Sequence, residues 1–272
     1  MGHLAACLQL SSTSDPEENV ARVTELARRA AREGASLIAT PETTNFIQPD
    51  RAMQASLARR QAKDPSLRAF RDLAADLGVW LLIGSLVLRD RDTGQLVNRS
   101  FLIDGLGEIK ARYDKIHLFD VDLGQGEAYR ESDTYRGGME AVWHESPLGP
   151  VGLTICYDLR FPALYRDLAS RGAQVIAVPS AFTVPTGRAH WEVLLRARAI
   201  ETGSYILAPA QTGTHAGGRK TWGHSMIVDP WGKVIAQAGD REGEIIMAEI
   251  EPPAVAEARM RIPALTTERT WI

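Results

Sequence analysis

The run VGLTICYDLRFPALYR, Val151 to Arg166, is where the reading of this chain turns. An apolar, strand-like stretch delivers one cysteine, Cys156, and charge, proline and a helix over Phe161–Arg171 follow at once. Two readings of that cysteine fit. Buried cysteines mostly pack as small, inert hydrophobes. A strand that turns abruptly into a helix is also how hydrolases expose a nucleophile. The helix N-terminus lowers a thiol pKa and aims backbone N–H groups at a developing oxyanion. The run alone leaves both readings open.

Outward from it, strands and helices alternate. HLAACLQL (His3–Leu10) reads as a buried opening strand. Val20, Val23, Ala27, Ala30 and Ala31 recur at helical spacing, predicting a helix over Pro16–Glu33 that Gly34 ends. ASLIATPE (Ala35–Glu42) is a second strand, stopped at Pro41. Leu67, Phe70, Leu73, Ala74 and Leu77 predict a helix over Ser66–Leu77. VWLLIGSLVLRD and NRSFLIDGLGEIKARYDK read as paired strands, and Asp120–Gly138 as a long loop. A hairpin turning at Pro147–Pro150 leads into Cys156. Strand Gln174–Pro179, helix Ala189–Glu201 and the strands YILAPAQ, GHSMIVDP, KVIAQAG and EIIMAEI complete the pattern. This alternation defines an α/β class. With no repeat or Ser/Gly linker, residues 1–272 read as one domain. The Arg- and Pro-rich stretch from about 252 to 272 has little core pattern and is expected to pack on a neighbouring subunit.

The 272 residues are 44% hydrophobic and 24% charged, enough for one sizeable core. A formal net charge of -3 gives no general attraction for nucleic acid. Cys7 and Cys156 are the only cysteines, too few for a disulfide framework or a cysteine-rich zinc site. LAAC at Leu4–Cys7 superficially matches a lipoprotein box, but no basic or apolar leader precedes it. Ala6 breaks the myristoylation pattern. No apolar run approaches the ~20 residues of a membrane span. The expectation is a soluble cytoplasmic protein without membrane or nucleic-acid partners.

A nucleophilic Cys156 needs a base. His117, His144, His190, His215 and His224 are available, and none carries a papain-type signature. No HExxH or cysteine-pair spacing suggests a metal, so neither metal nor organic cofactor is expected. Two other strands end as abruptly. LIATPETTNF puts Glu42 just past a strand and a proline, and ARYDKIHLFD puts Lys115 at the end of another. Each alone reads as a solvated strand-end charge. Three strands delivering a carboxylate, a lysine and a thiol at their carboxyl ends is how an α/β sheet edge builds an active site.

Together, PETTNF, YDKIHLFD and GLTICYDLRFP resemble, in order, the Glu-Lys-Cys signatures of the nitrilase (carbon–nitrogen hydrolase) superfamily. The likeness runs from about Leu4 to Ile250. It implies a four-layer αββα sandwich, assembled as a homodimer or homotetramer, and a small-molecule amide as substrate. The segments GRAHWEVLLRARAIETGSYILAPAQTG and WGHSMIVDPWGKVIAQ are similar to the Nit branch of amidases. Within it they are nearer to the deaminated-glutathione amidases than to the omega-amidases.

From this resemblance follow the expected roles. Glu42 is the acid–base and Cys156 the nucleophile of a thioester mechanism. Lys115 and the Tyr157 backbone N–H stabilise the oxyanion. Glu131, in ESDTYRGG, is a supporting carboxylate. Arg160 is placed to clamp a substrate carboxylate, its alternative being an ion pair with Asp158 or Asp167. Phe182 and Thr186 line the same pocket. The expected reaction releases 2-oxoglutarate and cysteinylglycine from deaminated glutathione. Rivals are an omega-amidase acting on 2-oxoglutaramate, an N-carbamoyl hydrolase or nitrilase, and, in another class, a non-catalytic scaffold.

Overall fold

The computed structural model describes residues 3–124, 128–267 and 269. Its first half supplies β1 (His3–Leu8), β2 (Leu37–Ala39), β3 (Trp80–Arg89), β4 (Leu96–Ile103), β5 (Ile109–Asp114) and a short hairpin, β6 (Asp120–Asp122) with β7 (Ala128–Arg130). The second half supplies β8 (Val142–His144), β9 (Val151–Leu153), β10 (Val175–Ala177) and β11 (Tyr205–Ala208). A second hairpin, β12 (Thr212–Thr214) with β13 (Lys220–Trp222), precedes β14 (Met226–Val228), β15 (Val234–Gln237) and β16 (Ile245–Ile250). Two six-stranded sheets result, ordered β16-β1-β2-β3-β4-β5 and β15-β14-β11-β10-β9-β8.

Side-chain alternation along the strands assigns the layers. In β1, Ala6 and Leu8 join one buried cluster while Ala5 and Cys7 join the other. The Ala6 side packs against Val23, Leu26 and Ala30 of α1 (Pro16–Arg32), and the cluster also takes Leu67, Phe70 and Leu73 from beyond it. A short helix, α2 (Arg51–Leu57), precedes α3 (Pro65–Leu77), which carries those last three residues. The Cys7 side, with Leu82, Leu102 and Tyr113, meets Leu153, Val175 and Ala177 of the second sheet. On that sheet's far side, α4 (Pro162–Ser170) and α5 (Val184–Thr202) contribute Tyr165, Leu168, Trp191 and Leu195. Helix, sheet, sheet, helix is the four-layer αββα sandwich expected.

Local chemistry sets the element ends. Asp15 caps α1 by accepting from the N–H groups of Glu17 and Glu18, and Pro16 opens it. Gly78, at φ 65°, closes α3 in the left-handed conformation that glycine adopts without cost. Gly84 has a different task. A Cβ there would lie 1.9 Å from the Thr40 oxygen and 2.4 Å from the Pro179 Cβ. Only a bare backbone lets β3 pass between the ends of β2 and β10, where the two sheets meet.

Several boundaries differ from the sequence pattern. β9 stops at Leu153, although Thr154 N and Cys156 N still donate to Ala177 O and Pro179 O, at 3.2 and 2.9 Å. α5 begins at Val184 rather than Ala189, because Pro185 is tolerated in a first helical turn. The stretch beyond residue 251 is not all patternless tail. It opens with α6 (Pro252–Arg261), which buries Val255 and Ala258. Arg259 ties α6 to its own chain, donating to Thr202 O at 3.1 Å and Ser204 Oγ at 2.9 Å.

Candidate active site

Glu42, Lys115 and Cys156 each follow the carboxyl end of a strand, β2, β5 and β9, and meet at the floor of one cavity. All three are buried. Lys115 Nζ donates to Glu42 Oε1 at 2.9 Å and to Glu131 Oε2 at 2.8 Å. Asn98 Nδ2, from β4, reaches Glu42 Oε1 at 2.9 Å and Glu131 Oε1 at 3.4 Å. Glu42 Oε2 accepts from Ala181 N at 3.0 Å, and the Cys156 thiol is among the neighbours that lower the same carboxyl. Glu131 Oε2 also accepts from Phe119 N at 2.6 Å. Glu42, Lys115 and Glu131 therefore form one continuous hydrogen-bonded chain, with the Cys156 thiol lining the same cavity.

The backbone around the site is held in uncommon conformations. Among the described residues, Thr43 at φ 54°, Cys156 at φ 48° and His224 at φ 57° are the non-glycine positions with positive φ. Two of the three are Cys156 and the neighbour of Glu42, and such strain persists only where surroundings over-determine it. At Thr43, Ser85 Oγ accepts from the amide at 2.7 Å. Asn45 then completes the segment by bonding Val87 N at 2.9 Å and Val87 O at 3.0 Å. At Cys156, the fully buried Asp158 does the holding. Its Oδ2 accepts from Ile155 N at 2.9 Å and Tyr113 OH at 2.7 Å. Its Oδ1 accepts from His117 N at 3.0 Å and lies 2.7 Å from His117 Nδ1. Asp158 thus ties the turn carrying Cys156 to the strand end carrying Lys115.

Electrostatics fix the resting protonation states. Burial pushes the Glu42 carboxyl up, but the Lys115 charge and the hydrogen bonds from Lys115 and Cys156 outweigh it, so it lies below its ordinary value. Burial works against the Lys115 ammonium, yet the Glu131 and Glu42 charges hold its pKa well above the usual range. Burial first, and then the Glu42 charge, raise the Cys156 thiol. At neutral pH the site holds a neutral thiol beside an ionised carboxylate and a charged lysine.

Above this floor lies a cavity of about 330 Å³. Tyr157, Arg160, Phe182 and Thr186, all expected from the sequence, line it, as do Glu42, Lys115, Glu131 and Cys156. Arg160 stands over the rings of Tyr157 and Phe182, at 5.9 and 5.5 Å to their centroids. Neither alternative ion pair forms: Asp158 is committed as described, Asp167 pairs with Arg171, and Arg160 contacts His190 Nδ1 at 3.2 Å. Phe182 is buried and also packs on Trp191, 4.9 Å between centroids, so it serves core and pocket together. The wall continues through Phe119 and Tyr129 to Arg219. Asn98, Asp158, Tyr129 and Arg219 were not singled out as site residues from the sequence. Asn98, an amide breaking the apolar run of LVNRSFLI, is the one that left a signal. Among the described residues, no three His, Cys, Asp or Glu side chains are grouped to hold a metal ion.

A sandwich of two helix-covered sheets, with carboxylate, lysine and thiol joined at the strand ends, defines a hydrolase class that works through cysteine. The carbon–nitrogen hydrolase family profile matches residues 4–260. Deaminated glutathione amidase of Yersinia enterocolitica is 42% identical over 266 residues, covering 97% of this chain and 92% of that protein. The human protein of that name is 40% identical over 270 residues, 98% of this chain and 82% of the other. The crystal structure of the Caenorhabditis elegans NitFhit protein superposes with a TM-score of 0.92 at 38% identity. That match covers 98% of this chain but 65% of the NitFhit chain. This chain belongs to the carbon–nitrogen hydrolase family and is an amidase-type hydrolase, as the three sequence signatures implied. Among the described residues no helix is long and apolar enough to cross a membrane.

Proposed function

We propose that the chain hydrolyses the amide bond of deaminated glutathione through a thioester on Cys156, releasing 2-oxoglutarate and cysteinylglycine. The observation that carries the mechanism is the hydrogen-bonded chain Glu42–Lys115–Glu131 in the cavity that Cys156 also lines. Because burial raises the thiol, no thiolate is stored, and the proton passes to Glu42 as Sγ attacks the amide carbonyl. Lys115 keeps Glu42 ionised beforehand. As the tetrahedral intermediate forms, Lys115 Nζ and the Tyr157 N–H take its oxyanion, each such donor supplying roughly 3 kcal/mol in comparable sites. Glu42 returns the proton to the departing amine, which breaks the C–N bond and leaves the thioester. Glu42 then draws a proton from water as it attacks, and gives it to Sγ when the acid leaves. Glu131 holds Lys115 through a second hydrogen bond. No step calls for a metal or organic cofactor.

Substrate identity rests on the relatives' names and on pocket chemistry. Arg160 binds the 2-oxo acid carboxylate of the acyl half, over a wall made by Phe182 and Thr186. The protein acts in the cytoplasm as a homodimer or homotetramer. Supporting assembly, Val193 and Ile200 on α5, Trp231, and Met260 on α6 are large apolar side chains left exposed. The test of substrate compares 2-oxoglutarate release from deaminated glutathione and from 2-oxoglutaramate at matched concentrations. The expected result is a higher kcat/KM for deaminated glutathione, and a clear preference for 2-oxoglutaramate would overturn the substrate assignment.

A further inference from the structure

We infer that Arg219 binds a carboxylate carried by the leaving amine, so that the cavity takes an amide flanked by an anionic group on each side. The inference rests on the amidase reading above and extends it to the half of the substrate that departs first.

The leaving group must lie beside the acid that protonates it. Glu42 gives its proton to the departing nitrogen, so that nitrogen and what it carries sit on the Glu42 side of the scissile carbon. Arg219 stands on that side. Its Nη2 donates to Ala181 O at 3.0 Å, and Ala181 N in turn holds Glu42 Oε2 at 3.0 Å. Its positive charge is among those that lower the Glu42 carboxyl. Arg160 stands elsewhere, against Tyr157 and Phe182, beside the nucleophile's own turn. Between the two guanidinium groups runs an aromatic wall. Tyr157 meets Phe119 at 5.2 Å, Phe119 meets Tyr129 at 5.1 Å, and Arg219 lies 5.5 Å from the Tyr129 centroid. Each end of the wall therefore carries one cation.

Arg219 also has an unmet need. Its Nε is buried and has no hydrogen-bond partner among the described residues. A native fold seldom leaves a buried donor unpaired unless a ligand or water completes it. An arginine held by one carbonyl and stacked on a ring keeps its remaining donors in a fixed plane, suited to a carboxylate. The other arginines of the cavity are engaged: Arg51 pairs with Asp133 at 2.8 Å, and Arg130 donates to Val121 O and Tyr129 O.

Two carboxylates on opposite sides of one amide is a demanding specification. Deaminated glutathione meets it, with a 2-oxo acid on the acyl half and a glycyl carboxylate on the leaving dipeptide. 2-Oxoglutaramate does not, because its leaving group is ammonia. Arg219 thereby distinguishes two substrates that Arg160 treats alike.

The experiment uses deaminated glutathione and its C-terminal carboxamide, which differ in the leaving-group charge alone. The wild-type protein is expected to favour the carboxylate by about 10- to 100-fold in kcat/KM, mostly through KM, as for one charged hydrogen-bonding contact. Arg219→Gln should bring the carboxylate-to-carboxamide ratio of kcat/KM close to one whatever its absolute rates, and its residual turnover of the carboxamide shows that the variant folds. Arg219→Lys, charged but without the fork, should fall between. Equal wild-type rates on both substrates would overturn the inference with no variant needed. So would a preference that survives Arg219→Gln, or a loss equal on both substrates. Failure of the wild-type protein to hydrolyse either compound would instead count against the amidase reading itself.

Discussion

Cys7 and Cys156 lie in the same buried cluster between the two sheets, and burial is the main force raising both thiols above their ordinary range. At Cys7 a hydrogen bond with the Ala208 backbone opposes it, and at Cys156 the Lys115 charge does. By burial and resting protonation they are nearly the same residue. They differ in backbone and company. Cys7 sits inside β1, paired in register with Ile246 on one side and Ala39 on the other. Cys156 sits at φ 48°, off the end of β9, and shares an open cavity with Glu42 and Lys115. In the proposed mechanism, reactivity at Cys156 comes from the neighbouring Glu42 as base, not from a thiolate waiting in the resting protein.

The largest expected difference is between paired substitutions of these two residues. Cys156→Ala should lower kcat by at least about 10⁴-fold, the scale of removing a nucleophile. An intermediate effect is expected at Asp158, which never touches substrate but pins the Cys156 turn. Asp158→Asn turns an N–H toward donors that need an acceptor. It should lower kcat about 10²-fold with KM little changed, by misplacing the sulfur relative to the amide. Unchanged kcat would show that the turn keeps its geometry unaided. The smallest effect is at the first cysteine: Cys7→Ala should leave kcat/KM within about twofold while costing about 1–2 kcal/mol in denaturant unfolding. A large activity loss there would erase the contrast.

How much of this was legible depended on which interactions lie along the chain and which across it. Abrupt strand ends at Glu42, Lys115 and Cys156 could be read because an apolar run stopping at a charge is a local event. Helices α1 and α3 could be read because each buries a stripe at helical spacing. Helix α2 could not, since it buries no residue and its pattern is blank. β12 and β13 are three residues each and mostly polar, and inside the expected Asp120–Gly138 loop β6 and β7 are as short. Asp158 shows in the sequence only as an ion-pair alternative for Arg160, because its partners, Tyr113 and His117, are 45 and 41 residues away. Arg219 reaches Ala181 across 38 residues, which no local pattern announces.

The central claim, that Cys156 carries the acyl group and Glu42 moves the protons, is tested most directly by intact-protein mass spectrometry during turnover of deaminated glutathione. The Glu42→Gln protein keeps the thiol but lacks the base for deacylation, so residual acylation should accumulate a 2-oxoglutaryl adduct that peptide mapping places on Cys156. Cys156→Ala should show none, and Cys7→Ala should leave the adduct of Glu42→Gln unchanged. An adduct on Cys7, or hydrolysis that continues in Cys156→Ala, would contradict the account.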